Sequence, residues 1–399
     1  MTRASLTGAW PGADPVAAAQ DVLNALGHPH QPLLPELPGR GPGSDPVGRT
    51  AVLLDGLAVD LQPHGWRLVA EPGMDHRRAT SALRSDVNAF TDVAGDAGVT
   101  VEDLVVRVTG PMSLAANLWL PGGERSLSDS GARRDVAQSL AAGLGEWVRS
   151  VRAATGAARL TVLVDEPQAA AVLSGVLPTA SGYRTVRSIP RSEVREGWTL
   201  VAEAALDGGA TGIVHAPGRS GAGDAWAWPE LALLASESLP AVPPPAGPDG
   251  PGGARGPDGA DHGSGDDAGR DDAGRDDAGR GLSMPLAPLE GAGADPARWE
   301  VIAGWVEAGR TVTLQLPPPG DAQPDPVPGP ADAARPYRNT AVRIAQTWAR
   351  MGLDPQHLSL LVLGAPDLSA GTRHAANRTL AATVTAAEEL DRIRQDGGL

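Results

Sequence analysis

The sequence predicts an α/β fold, and within that class a (β/α)8 barrel. Three observations predict it. Short apolar runs rich in Val, Leu, Ile and Thr alternate with stretches of helical period. Those runs are continuously apolar, as strands are when a parallel sheet is covered on both faces. With the low-complexity segments set aside, the remaining length suits about eight strand–helix units, the usual barrel complement. A doubly wound open sheet is the alternative. No G-x-G-x-x-G stands between a strand and a helix to support it.

The first helix covers residues 14–26 and opens on Asp-Pro. Asp accepts from free N–H groups at a helix start, and Pro fits the first turn. Amphipathic helices are expected next at 77–97, 128–154, 193–207, 296–308, 340–351 and 371–394. Strands are expected at 104–109, 160–164, 211–215, 311–316 and 358–363. Two segments interrupt the pattern. Residues 243–281 are Pro, Gly, Asp, Ala and Arg, with the pentad DDAGR three times in tandem. Such a stretch cannot bury apolar area and is expected to be a disordered insert. Residues 317–336 are Pro-rich and are expected to be an irregular loop. The rest of 1–399 reads as one domain.

Composition excludes several chemistries. The chain has 399 residues and no Cys, so it has no disulfide, no thiolate nucleophile and no iron–sulfur cluster. All 33 basic residues are Arg. Without Lys there is neither a Schiff base nor a P-loop. A formal net charge of −15 opposes binding to nucleic acid or to an anionic membrane. No apolar run approaches the ~18 residues that span a bilayer. The first twelve residues hold no apolar signal core, so a cytoplasmic location is expected.

Function in a parallel α/β fold sits at the C-terminal ends of strands. Asp165 and Glu166 end the strand LTVL-VDEP. Adjacent carboxylates there bind a ligand, or Asp165 caps the next helix with Pro167 in its first turn. His215 ends TGIVH and is either a metal ligand or base, or a loop-bonded structural residue. Glu230 follows a short apolar stretch and is a ligand near His215 or a solvent-facing residue. Thr109 opens a Gly-Pro turn that exposes backbone N–H groups. Trp10 stacks on a flat ligand or belongs to the core.

Several motifs carry a family resemblance in their order along the chain. They are TGAWPG (7–12), LPELPGRGPGSDPVGRT (34–50), DLQPHGWRL (60–68), TGPMSLA (109–115), VDEP (164–167), IVHAP (213–217) and ELALL (230–234). Together they resemble the cobalamin-independent methionine synthase family. More closely they resemble its short, single-barrel actinobacterial relatives within the uroporphyrinogen decarboxylase/methionine synthase-like superfamily. The resemblance runs from near the N-terminus to about Thr372, broken by the Asp-rich insert.

The resemblance implies a barrel that moves a methyl group from a methylated folate to the thiol of homocysteine. It implies zinc to activate that thiol. His215 and Glu230 match family zinc ligands, and Asp165, in VDEP, matches the carboxylate that grips the substrate amino group. Both family cysteines are replaced: Ala216-Pro217 follows His215, and Pro366-Asp367-Leu368 stands in place of Cys-Gly-Leu. Asp367 is then the expected third ligand. The leading expectation is a methyltransferase using a folate or another donor. The alternatives are a non-catalytic binding barrel and a metal-free decarboxylase using Arg40 and Arg49 for substrate carboxylates.

Overall fold

The structure is a computed structural model that describes residues 1–218, 228–240, 279–286, 296–317 and 330–398. In chain order, β1 (Arg3–Leu6) leads to α1 (Pro15–Ala25) and α2 (Pro46–Ala51). The hairpin β2 (Ala58–Gln62) and β3 (Gly65–Val69) precedes α3 (Met74–Asp96) and β4 (Asp103–Thr109). Next come α4 (Pro111–Asn117), α5 (Ser130–Thr155), β5 (Arg159–Glu166), α6 (Ala169–Ser174) and α7 (Arg191–Asp207). β6 (Gly212–Pro217), α8 (Trp228–Ser238), β7 (Arg280–Pro285) and α9 (Pro296–Glu307) follow. The chain ends with β8 (Thr311–Gln315), α10 (Pro330–Arg350), β9 (Leu361–Ala365) and α11 (Arg373–Gln395).

Seven strands form one curled parallel sheet in the order β1-β9-β8-β7-β6-β5-β4, with helices between the strands. The edges β1 and β4 meet through an eighth segment. Ser5 bridges to Gln31, and Leu33 bridges to Val105. Gln31 N donates to the Ala4 carbonyl at 2.9 Å, and Val105 N donates to the Pro32 carbonyl at 2.8 Å. Pro32 and Pro35 have no N–H to give, so this segment makes isolated bridges rather than a full ladder. The architecture is TIM-barrel-like, as expected.

Local chemistry sets the helix ends. Asp14 accepts from Val16 N and Ala17 N, Asp45 from Gly48 N, and Asp129 from Ala132 N. Each satisfies a donor that the first turn leaves free. Helix α5 buries Val136, Leu140, Leu144, Val148 and Val151 along one face. It packs closely on α7: a Cβ on Gly208 would lie 2.4 Å from the Gly145 carbonyl oxygen. Each fully buried Leu or Val here contributes about 1.5–3 kcal/mol.

Three expected boundaries shift. The third DDAGR pentad ends on Arg280, and Arg280 and Gly281 already belong to β7. The insert otherwise lies outside the described residues to 278. Of the Pro-rich segment, residues 330–336 are helical, because α10 begins at Pro330 and accommodates Pro336. The expected strand at 358–363 starts three residues later. Asp354 and Pro355 first nucleate a 3₁₀ turn, Pro355–Leu360, ahead of β9. No described helix is long and apolar enough to cross a membrane.

Candidate functional site

Strand register decides which side chains reach the barrel interior. Thr109 pairs with Asp165, and Asp165 pairs with Ala216. Side chains alternate along a strand, so these three share a face, and Arg107 shares it two residues earlier. Of these, Asp165 and Ala216 line a cavity of about 380 Å³ at the C-terminal strand ends, bordered also by Trp228, Ser283, Arg298 and Gln315. Such a position is where barrels bind their ligands.

Asp165 is the acidic wall of the cavity. Its side chain keeps 27% exposure, and an Oδ lies 3.6 Å from Arg107 Nη1. Burial raises its pKa above the usual carboxylate value; Arg107 opposes this, while Glu36 and Asp367 add to it. It does not cap the following helix, whose cap residue is Gln168. Arg107 is buried and donates to Glu36 Oε2 at 2.5 Å and to the Thr7 carbonyl at 3.3 Å. Burial favours its neutral form, but Glu36, Asp165 and Asp367 outweigh this and keep it charged. Arg107 thus stands among three carboxylates, an excess of negative charge on the Asp165 side of the cavity that favours a cationic group beside that carboxylate. Neither Arg107 nor Glu36 stands out as a site residue from motif and strand-end position; the sequence signal for Arg107 is a charged residue inside the apolar run LVVRVT.

Glu166 points to the other face and is fully buried. Its Oε1 accepts from Met112 N at 2.9 Å and from Trp198 Nε1 at 2.9 Å. Its Oε2 accepts from Ser113 N at 2.7 Å. It therefore caps α4 and ties β5 to α7. Gly110 makes room, since a Cβ there would lie 2.4 Å from Glu166 Oε1. Burial pushes the pKa of Glu166 up to about 7, against the pull of those donors. Its oxygens are occupied within the protein rather than turned toward a ligand.

The other expected residues are also turned inward. Thr109 Oγ1 donates to the Pro46 carbonyl at 3.1 Å, anchoring α2 to β4. Trp10 belongs to the core at 1% exposure, with its Nε1 buried and without a hydrogen-bond partner among the described residues. Arg40 and Arg49 both pair with the buried Asp86 on α3, so neither is turned to a substrate carboxylate.

The residues expected to hold zinc do not assemble. His215 pairs in register with Val164, so it shares the outer face with Glu166. Its ring stacks on Trp198 at 5.0 Å, and burial pushes its pKa down to about 3. Both ring nitrogens are buried without a hydrogen-bond partner among the described residues. Asp367 Oδ2 accepts from Ala9 N and Oδ1 from Ser369 N, each at 3.0 Å. Glu230 is exposed in the first turn of α8. Among the described residues no three His, Asp or Glu side chains form a group able to hold a metal ion. The donor set implied by the resemblance does not fit zinc.

No protein-family model matches the sequence, and no curated protein matches it. Among solved structures, a methyltransferase from Methanosarcina mazei is 13% identical, with a TM-score of 0.46 over 97% of this chain and 93% of that one. A B12-independent methionine synthase from Shewanella sp. W3-18-1, in complex with selenomethionine, is 12% identical, with a TM-score of 0.40 over 82% and 71%.

Proposed function

We propose that this chain is a methionine synthase-like barrel that binds a small amine-bearing molecule of the homocysteine type, and that it does so without the family's zinc. One observation carries the reading. Asp165 faces the mouth cavity half-buried, in a cluster whose single cation is outnumbered by carboxylates. An ammonium group would enter that field and take the carboxylate.

Calorimetry with homocysteine and with methionine tests this. Binding to the wild-type chain is expected, weakened tenfold or more in Asp165→Asn, since a hydrogen bond to a charged group contributes about 1.5–3 kcal/mol. No binding to the wild type, or equal binding to the variant, refutes it.

A second reading is favoured by the motif order TGP, VDEP and IVHAP. In it the bound thiol loses its proton to solvent and its sulfur takes a methyl group from a methylated folate or another donor; the donor–methyl bond breaks, and the demethylated donor keeps the electron pair and takes up a proton from solvent. Mass-spectrometric detection of the methylated thiol, dependent on Asp165, would support it. Absence of product with any folate or small donor leaves the binding role alone.

A further inference from the structure

The proposed function uses one wall of the cavity. The opposite wall carries a cation, Arg298, near the start of α9. Its guanidinium carbon lies 5.2 Å from the ring centre of Trp228, which is buried at 3% exposure. Its Nη1 donates to the Pro285 carbonyl, the last residue of β7, at 3.2 Å. The guanidinium thus lies over an indole and is pinned to a strand end. Arg in such a setting is ordered before a ligand arrives, and its planar fork matches a carboxylate.

Asp165, near the end of β5, lies level with Ala216 and so with Ser283, two residues before Pro285 at the end of β7. At about 4.8 Å per strand spacing and about 3.3 Å per residue, the backbones of Asp165 and Pro285 stand roughly 12 Å apart. Shortened by the reach of the two side chains, that span suits a small molecule with opposite charges at neighbouring carbons, each group bonding its own wall. The remaining wall is uncharged: Pro167, Ala216, Pro217 and Pro285 are apolar, and Gln315 Nε2 donates to Ser283 Oγ at 3.0 Å.

We infer that Arg298 takes the carboxylate of the molecule whose ammonium Asp165 takes, so that the cavity selects zwitterions over amines or acids. This rests on the reading of Asp165 given above. The test uses three probes on the full chain: methionine, the amine left when methionine loses its carboxyl group, and the acid left when it loses its amino group. Calorimetry is expected to show methionine at least tenfold tighter than either half. In Arg298→Gln, methionine should fall to the level of the amine, with amine binding unchanged. Arg298→Lys, which keeps the charge and loses the fork, should lie between.

Should Arg298→Gln fail to fold, the wild-type series and Arg298→Lys still decide the matter. Equal binding of amine and methionine by the wild type overturns the Arg298 assignment and leaves the Asp165 reading standing. So does an Arg298→Gln variant that weakens both probes alike. Binding of none of the three overturns both.

Discussion

Glu166→Gln isolates the buried carboxylate that joins β5, α4 and α7. In the native chain its pKa lies near 7, and unfolding returns it to about 4.5. Between those values the native state holds more protons than the unfolded state, so stability falls as pH rises. The stabilisation is fully present below about 4.5 and is lost through about 7. At about 1.4 kcal/mol per pH unit, the loss is roughly 3 kcal/mol. Gln cannot ionise, so it removes this slope. It also turns an amide NH2 toward Ser113 N, an unmatched donor pair that costs about 1–3 kcal/mol. The variant is therefore expected to be the less stable protein at low pH and to draw level with, or pass, the wild type above neutrality. Urea unfolding followed by Trp fluorescence, from about pH 5 to about pH 8, measures this difference. All other titrating groups are common to both chains and cancel. A wild-type-minus-variant difference that stays flat with pH would refute the argument. One that grows with pH would show that the three N–H donors outweigh burial.

Other outcomes follow from the same contacts. Arg107→Met leaves Glu36, Asp165 and Asp367 facing one another without their cation; a loss of about 3–5 kcal/mol in urea unfolding is expected. Gly110→Ala forces a Cβ to within 2.4 Å of Glu166 Oε1 and should cost about 1–3 kcal/mol, part of it recovered when Glu166→Ala is added. Trp198→Phe keeps a ring beside His215 but removes one donor from Glu166. The Glu166 step in the pH series should then move to higher pH, because one bond favouring the ionised form is gone.

Much of the fold was legible because burial on both faces writes a run that is apolar at nearly every position. LVVRVT and LTVLV are such runs, and both are strands. The strands that went unread are those whose interior face is small or polar. In β1 the sequence RASL has Arg3 and Ser5 on one face, and β7 has Gly281 and Ser283. Neither stretch is apolar enough to stand out, and β7 also begins inside the last DDAGR pentad. The segment at 31–34 closes the sheet with Pro32 in its middle, a residue that argues against a strand wherever a full ladder is assumed.

The site was legible in part for a related reason. Asp165 was recognisable from its place at the end of a buried run, and register confirms that it faces the cavity. His215 had an equally good place in the sequence and faces the other way. The two differ by one step of a period-two pattern. Asp165 lies level with Ala216, not with His215, and that offset is set by hydrogen-bonded register between strands 46 or more residues apart in the chain. Residue type and motif order carry no information about it. The same offset brings Glu166 and His215 both against Trp198, which donates to the carboxylate and stacks on the imidazole, so that they serve helix capping and packing. Of the neighbours His215 and Ala216, Ala216 is the one that shares the face of Asp165, so a metal-binding pair designed into the cavity would place His at 216 rather than rely on His215.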